Sequence, residues 1–157
     1  DAVFDATVPR LRQMRDVYER YGDPALTAVK TDAEGTKKYG IIDPGAKVAP
    51  RVYEVKGVME KPGPKRAPSR LATVGGYVLT PDIFDEIKRL KPSASGEFYL
   101  LDAISLLIKK RAMYAKEIEG DYHDTGSKIG WLKANLSFAL KRPDMAKEAR
   151  RMIRSLQ

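Results

Sequence analysis

The sequence predicts an α/β fold, and three observations support this prediction. Its 157 residues suit one ordinary domain that buries roughly two thirds of the surface its unfolded chain exposes. Its 43% hydrophobic and 32% charged residues are typical of a soluble globular protein. Short β-like runs alternate along the chain with stretches of helical periodicity, which is the pattern of an α/β protein.

The first part of the chain predicts one helix followed by two strands. Apolar side chains recur every three or four positions in residues 9–21, and Gly22 is a stop signal for that helix. Short β-like runs follow at 25–30 and 39–43. The "DPG" at 43–45 predicts a turn directly after the second run.

The central part predicts two further strands separated by a basic loop. Residues 51–60 form the longer run, and the Pro- and Lys-rich stretch 61–70 interrupts the pattern. Residues 71–80 then predict another strand, which is weakened or bulged at Gly75 and Gly76.

The last part predicts four helices and one strand, with no internal repeat. "PDIFDEIKRL" begins with proline and keeps helical spacing, and the last two helices are separated by Pro143. The predicted elements are helices at 81–90 and 96–111, a strand at 112–119, and helices at 127–141 and 144–156.

Charge and composition exclude several classes of protein. The net charge of +8 suggests anionic partners, but the basic residues occur in short clusters mixed with acids, as on solvated helix faces. Nucleic-acid binding is therefore an alternative and not the main prediction. The longest apolar run is interrupted by Asp102 and is shorter than the ~20 residues that span a bilayer, so no membrane segment is predicted. The absence of cysteine excludes disulfides and favours a reducing compartment, which we take to be the cytoplasm.

Glu60 and Lys61 are candidate binding residues because Pro62 ends the strand immediately after them. One interpretation is a solvated ion pair at a strand end. The other is that both side chains reach the carboxyl edge of the sheet, where open α/β sheets bind ligands. There a carboxylate would accept hydrogen bonds from sugar hydroxyls and an ammonium would hold a phosphate, so the pair suits a sugar phosphate.

Asp124 is a candidate metal ligand in "GDYHDTGSKIGWLKA", between a predicted strand and a predicted helix. Asp124 or Thr125 could simply cap the helix that begins near Ser127. Alternatively, Asp124 could hold Mg²⁺, which keeps several waters and is commonly bound by one or two carboxylates plus substrate phosphates. His123 is a weaker candidate, because it has no Ser, Cys or metal-ligand partner at a useful spacing and is better explained as structural.

The chain contains five motifs in order: "YGIID", "GVMEKP", "APSRLATVGGYVLTPDIF", "GEFYLLDAI" and "HDTGSKIGWLKA". In this order and at these spacings they resemble the C-terminal half of bacterial UTP-glucose-1-phosphate uridylyltransferases, within the sugar nucleotidyltransferase superfamily. The resemblance implies part of a Rossmann-like nucleotide-diphospho-sugar transferase fold, a mixed sheet flanked by helices, with the N-terminal nucleotide-binding portion missing. It also implies an enzyme that joins glucose 1-phosphate to UTP and releases UDP-glucose and pyrophosphate.

The resemblance assigns five residues to the sugar. Tyr39 and Gly40 would bring the backbone up to the sugar, with Gly40 bonding a hydroxyl. Glu60 would bind glucose hydroxyls, and Thr73 and Gly75 would line the sugar pocket.

The resemblance assigns the catalytic roles to Lys61 and Asp124. Lys61 would contact the phosphate of glucose 1-phosphate, and Asp124 would hold the catalytic Mg²⁺. In such enzymes an oxygen of the sugar phosphate attacks the α-phosphorus of UTP in line, and catalysis comes from positioning and charge neutralisation.

The chain departs from the family at several positions that the motifs cover. Arg70 stands where the family usually has Asn, and Gly76 stands where it commonly has Arg. "EFYLLDA" replaces "EIQLTDA", so that Phe98, Tyr99 and Leu101 differ. These changes bear on which sugar and which branch of the family the chain represents.

The resemblance also predicts a division of roles and an incomplete site. Residues 1–142 would form the sugar-phosphate-binding part and 143–157 a C-terminal helix. Asp1 would end an aspartate-containing turn that supplies another metal carboxylate. No G-x-G-x-x-G or G-x-x-x-x-G-K-[ST] motif occurs, and the chain has no initiator methionine. We therefore expect this chain to be inactive alone, with the nucleotide side supplied by a further N-terminal portion or by another copy in a homo-oligomer.

Two other functions remain open from the sequence. A sister enzyme that uses dTTP or another hexose 1-phosphate would share every motif quoted above. The chain could also be a non-catalytic phosphosugar-binding or oligomerisation module.

Overall fold

The computed structural model describes residues 2–93 and 96–156, and these form two compact units. The larger unit is Val8–Glu119, and the smaller unit combines the residues before Val8 with those from Gly120 onward. In the described part of the chain, every helix is too short or too polar to cross a membrane.

The elements alternate between strands and helices, as the sequence predicts. In chain order they are β1 (Ala2–Asp5), α1 (Arg10–Tyr21), β2 (Ala25–Lys30), a 3-10 turn (Gly35–Lys37), β3 (Gly40–Ala49), β4 (Val52–Met59), β5 (Leu71–Thr73), β6 (Tyr77–Val78), α2 (Ile83–Ile87), α3 (Leu100–Leu107), β7 (Tyr114–Glu117), β8 (Asp121–Asp124), α4 (Lys128–Lys141) and α5 (Ala146–Ser155).

The larger unit is built on a six-stranded mixed sheet with the strand order β5-β3-β4-β7-β2-β6. Strands β2 and β7 run parallel, while the other pairings are antiparallel. Strand β5 also pairs with β2, so Ala72 lies opposite both Val29 and Ile41. The prediction of a mixed sheet flanked by helices is therefore confirmed.

The core of the larger unit lies between the sheet and α3. Ala103, Ile104 and Leu107 are fully buried on one face of α3, because they recur at helical spacing. They belong to a single buried cluster with strand residues that include Leu26 and Ile42. Burying such side chains is the main stabilising contribution, at about 1.5–3 kcal/mol each.

The predicted turn at 43–45 is wrong, because these residues lie inside β3. The ladder between β3 and β4 shifts its register at Asp43 and Pro44, so the strand accommodates proline at an irregularity. The chain reverses later, between Ala49 and Val52, where Arg51 takes a positive φ of 59°.

The strand predicted over 71–80 is split into β5 and β6. Gly75 and Gly76 separate them, with φ values of 79° and 76°, which are left-handed conformations that glycine adopts at low cost. The glycine pair therefore breaks the strand instead of only weakening it.

Two predicted helices are shorter than expected. α2 ends at Ile87 because its last turn tightens to i→i−3 hydrogen bonds, as from Arg89 N to Glu86 O and from Leu90 N to Ile87 O. α3 begins only at Leu100, since Tyr99 before it is extended.

The smaller unit contains a two-stranded antiparallel sheet that the sequence did not predict. β1 pairs with β8, so that Ala2 lies opposite Asp124 and Asp5 opposite Asp121. α4 packs beside β8, and Ser127 caps it by accepting a hydrogen bond from Gly130 N at 3.1 Å.

Candidate functional site

Gly40 lies at the centre of the candidate site in the larger unit. It is the first residue of β3, where its partner on β5 is Thr73 and its neighbour Ile41 pairs with Met59 at the end of β4. This register brings Gly40 between Thr73 and the residue that follows β4, which is Glu60.

Side chains of three other residues surround Gly40 closely. A Cβ atom at Gly40 would lie 3.4 Å from Glu60 Oε2, 3.1 Å from Thr73 Cγ2 and 2.4 Å from Leu101 Cδ1. The structure thus brings together three residues predicted for the sugar. Leu101, one of the positions where the chain departs from the family motif, contributes an apolar wall.

Glu60 and Lys61 form an ion pair directly after β4, with 3.3 Å between Lys61 Nζ and Glu60 Oε1. The Glu60 side chain is 26% exposed and the Lys61 side chain is 53% exposed, so both are accessible to a solute. Lys61 has a φ of 41°, in the left-handed region that costs a non-glycine residue roughly 1 kcal/mol or more. Strain of this kind clusters at binding sites, where the rest of the structure holds the residue in place.

Thr73 is the most buried polar residue of the site, at 4% exposure. Its Oγ1 is buried and has no hydrogen-bond partner of standard geometry within the described chain. An unsatisfied buried hydroxyl costs free energy, and a ligand hydroxyl would satisfy it.

Tyr77 is a further residue of the candidate site that the sequence did not predict. Burial raises the pKa of its phenol and the Glu60 carboxylate raises it further, while the Thr73 side chain and the Gly75 backbone lower it. Tyr77 is half-buried at the start of β6, and three predicted site residues are among the groups that shift its pKa. Its position directly after the glycine pair was the available signal, because a broken strand redirects the side chain that follows.

The remaining predicted sugar residues lie at the ends of strands in the same unit. Tyr39 is half-buried before β3, and its N–H donates to Gly35 O at 2.9 Å. Gly75 lies between β5 and β6, where its carbonyl accepts a hydrogen bond from Arg10 Nη1 at 3.5 Å.

Asp124 lies in the smaller unit, as the last residue of β8. Its Oδ1 accepts a hydrogen bond from Gly126 N at 3.0 Å. The cap of α4 is Ser127, so the side chains of Asp124 and Thr125 do not have the capping role that the sequence left open. The predicted convergence of Asp124 with Glu60 and Lys61 on one rim stays a prediction, and Asp1 lies outside the described residues.

No group of three or more metal-binding side chains occurs within residues 2–93 and 96–156. Asp124 offers one carboxylate to a metal. This suits an ion such as Mg²⁺, which takes its other ligands from water and from substrate phosphates.

His123 is buried beside Asp124 in β8 and packs against Phe138, with 5.7 Å between the ring centroids. Its Nε2 has no hydrogen-bond partner within the part of the chain that the structure describes. The structural role of His123 stays a prediction.

Comparison with known proteins identifies relatives of the whole chain. The sequence profile of a family described as nucleotidyl transferase matches residues 1–140. A UTP–glucose-1-phosphate uridylyltransferase of Staphylococcus epidermidis is 38% identical over 156 residues, which cover 99% of this chain and 54% of that protein. UTP–glucose-1-phosphate uridylyltransferase 2 of Staphylococcus saprophyticus is 40% identical over 157 residues, covering 100% of this chain and 54% of that protein.

The fold of the chain is also similar to that of a solved structure. A UDP-glucose pyrophosphorylase complexed with UDP-glucose superimposes with a TM-score of 0.84 at 31% identity, covering 90% of this chain and 54% of that chain. The chain spans about half the length of the curated relatives it matches.

Proposed function

The chain belongs to the nucleotidyl transferase family, and from this premise we propose that it is part of a UTP–glucose-1-phosphate uridylyltransferase. The whole protein would transfer uridylyl from UTP to glucose 1-phosphate, giving UDP-glucose and pyrophosphate. This chain would supply the sugar-phosphate side of the site and a carboxylate for the metal. The observation that supports the proposal most directly is the convergence of Gly40, Glu60 and Thr73 beside the ammonium of Lys61.

These groups have the chemistry that a hexose requires. The Glu60 carboxylate accepts hydrogen bonds from sugar hydroxyls, and such charge-assisted bonds are roughly twice as strong as neutral ones. The unsatisfied Thr73 hydroxyl and the backbone at Gly40 provide further polar contacts. Leu101 packs directly against Gly40, so the polar contacts would come from the side of Gly40 that Glu60 and Thr73 occupy.

Lys61 would hold the phosphate of glucose 1-phosphate as a point charge. The Lys61 ammonium lies 3.3 Å from the Glu60 carboxylate. The two groups are therefore close enough to contact the phosphate and the hydroxyls of the same small ligand. In the reaction, an oxygen of the sugar phosphate attacks the α-phosphorus of UTP and pyrophosphate leaves. Lys61 would orient the attacking group and reduce its charge repulsion with the nucleotide.

Asp124 would hold the Mg²⁺ that this chemistry uses, with the substrate phosphates as further ligands. When bound, the metal would neutralise charge that develops on the transferring phosphoryl group. Hard oxygen ligands such as the Asp124 carboxylate fit Mg²⁺ better than softer metals.

The nucleotide side of the site would come from outside this chain. Its 157 residues contain no glycine-rich phosphate-binding motif, which favours correspondence with the C-terminal, sugar-phosphate half of the relatives. We expect no turnover by this chain alone. The lack of cysteine favours the cytoplasm as the compartment.

Calorimetric titration with glucose 1-phosphate tests the proposed site. Wild type should bind, and both Lys61→Ala and Lys61→Gly should weaken binding by at least about tenfold, because both remove the ammonium. Lys61→Gly should nevertheless be more stable than Lys61→Ala by roughly 1 kcal/mol, since glycine accepts the left-handed backbone. Lys88→Ala is the matched control, because Lys88 is an exposed lysine directly after α2.

Two results would contradict the proposal. One is a wild-type chain that binds no glucose 1-phosphate at millimolar concentration, and the other is a Lys61→Ala variant that binds as well as the control. A panel of UTP and dTTP with several hexose 1-phosphates, run on a longer protein that includes a nucleotide-binding portion, would separate the uridylyltransferase from its sister enzymes.

A further inference from the structure

Arg10 begins α1, where its charge is unfavourable for the helix. The N-terminus of a helix carries partial positive charge, and the first turn of α1 contains no acidic residue to compensate. Helix electrostatics therefore give no reason for an arginine at this position. The contacts of the guanidinium provide one.

The guanidinium of Arg10 lies against Gly76, in the space that a side chain there would fill. A Cβ atom at Gly76 would lie 2.7 Å from Cζ and 2.8 Å from Nη1 of Arg10. Arg10 Nη1 also donates a hydrogen bond to Gly75 O at 3.5 Å. Arginine at position 10 and glycine at position 76 are thus complementary in size.

The glycine turn is fixed from its other side by β2. The backbone N–H of Thr27 donates to Gly76 O at 3.2 Å, and the Thr27 hydroxyl donates to the same oxygen at 2.6 Å. Both glycines have positive φ values. Glycine adopts positive and negative φ about equally well, so this turn keeps one conformation only if contacts with other residues fix it. Arg10 and Thr27 together hold this turn.

We propose that Arg10 is a positioning residue that acts through the Gly75–Gly76 turn. By fixing this turn, Arg10 sets the positions of the Gly75 backbone and of Tyr77 at the start of β6 relative to Thr73 at the end of β5. Arg10 therefore affects sugar binding without contacting the sugar. The identity of the ligand rests on the function proposed above, whereas the coupling between Arg10 and the turn does not.

NMR and calorimetry on the 157-residue chain test this coupling. Arg10→Ala should shift the amide resonances of Gly75 and Gly76 and the Cζ resonance of Tyr77, and it should weaken glucose 1-phosphate binding by about tenfold. Arg10→Lys should restore most of the wild-type resonances and most of the glucose 1-phosphate affinity, because an ammonium can still donate to Gly75 O. Arg12→Ala is the matched control, since it removes the same charge from an exposed position on α1.

A double-mutant cycle tests the size complementarity. Gly76→Ala should lower the midpoint of urea unfolding in the wild-type background, where the new methyl group meets the guanidinium. It should lower the midpoint less in the Arg10→Ala background, where that space is vacated. The strain of alanine at positive φ is present in both backgrounds and cancels.

Two results would overturn the proposal. The first is that Arg10→Ala and Arg12→Ala give the same resonances at Gly75, Gly76 and Tyr77. The second is that Gly76→Ala has the same cost in both backgrounds. If the wild-type chain binds no glucose 1-phosphate, the proposed function fails. The NMR comparison and the double-mutant cycle still decide whether Arg10 fixes the Gly75–Gly76 turn.

Discussion

At the scale of single residues, Gly40 has the least tolerance for change within the site. A methyl group there would approach Leu101 to 2.4 Å and the Thr73 side chain to 3.1 Å. Leu101 belongs to the buried cluster beneath the sheet, so it cannot move without disturbing the core. A substitution at Gly40 therefore changes the pocket and the packing of α3 together.

We expect Gly40→Ala to abolish glucose 1-phosphate binding and to reduce the free energy of unfolding by roughly 1–3 kcal/mol, the usual cost of overpacking. Calorimetry and urea denaturation measure the two effects. Gly57→Ala is the matched control, because in the neighbouring strand the nearest atom to an added Cβ is 3.9 Å away. Equal behaviour of the two variants would show that the narrow space at Gly40 is unimportant.

Residue types predicted only part of the candidate site, and the family resemblance supplied the other residues. Glu60 and Lys61 are adjacent charged residues before a proline, which allowed a phosphosugar site as well as a solvated ion pair, and only the family resemblance favoured the phosphosugar. Tyr77 was missed, because its approach to Glu60 depends on how β5 and β6 separate at two left-handed glycines. Arg10 is 66 positions from Gly76, and no local pattern connects the two.

At the scale of elements, Arg111 links the loop before β2 to the start of α2. Its guanidinium donates to Asp23 Oδ1 at 2.7 Å from Nη2 and to Asp82 Oδ2 at 3.0 Å from Nη1. The hydrogen bond from Thr80 to Asp82 and the interaction with Arg111 lower the pKa of the Asp82 carboxyl. These contacts fix the short helix α2, which has only five residues.

The lowered pKa of Asp82 predicts how stability depends on pH. A carboxyl whose pKa is lower in the folded state stabilises the fold above its unfolded pKa of about 3.9, and this contribution disappears as the pH falls through the folded pKa. Asp82→Asn should therefore reduce the free energy of unfolding by at most about 1 kcal/mol at pH 7, since the side chain is partly exposed. The reduction should shrink progressively below about pH 5.

Urea denaturation at pH 7, 5 and 3 measures this dependence. Asp85→Asn is the control, because Asp85 lies on the exposed side of the same helix and pairs only with exposed Lys88 among the ion pairs described. A difference between wild type and Asp82→Asn that stays constant or grows towards pH 3 would contradict the interpretation.

Element types were more predictable than element boundaries. The periodicity of residues 9–21 and 127–141 predicted α1 and α4 to within one residue at each end. The turn expected at Asp43 and Pro44 was wrong, because pairing with β4 carries β3 through the proline. Local turn propensity is weak compared with a long antiparallel ladder, and only the partner strand reveals that ladder.

At the scale of the whole molecule, the smaller unit depends on close approaches between backbone segments. A Cβ atom at Gly130 would lie 1.8 Å from Asp124 O, and one at Gly120 would lie 2.6 Å from Asp5 O. Glycine at position 130 allows α4 to begin directly beside the end of β8, which carries the proposed metal ligand, and glycine at position 120 allows the chain before β8 to approach the end of β1.

We expect Gly130→Ala to destabilise the smaller unit by roughly 2–3 kcal/mol, because the methyl group overlaps a backbone carbonyl that cannot move independently. Amide hydrogen exchange should become faster across β8 and the first turns of α4. Lys133→Ala, an exposed substitution on the same helix, should leave the exchange rates unchanged. Unchanged amide protection in Gly130→Ala would mean that Gly130 and the Asp124 carbonyl are not in close contact in solution.

The α/β class could be predicted for the whole molecule, but the sheet of the smaller unit could not. β1 and β8 have four residues each and are separated by 115 residues, so neither shows its partner through local periodicity. The sequence therefore predicted a loop at Asp124 where the structure has the end of a strand.

The pairing of β1 with β8 also has a consequence for biosynthesis. Ala2 must wait for Asp124 to be translated before the ladder between them can close. At about 5–20 residues per second, the ribosome needs roughly 6–25 s to add the intervening residues. During this interval β1 lacks its partner β8, so the smaller unit can form only after the residues from Gly120 onward have been synthesised.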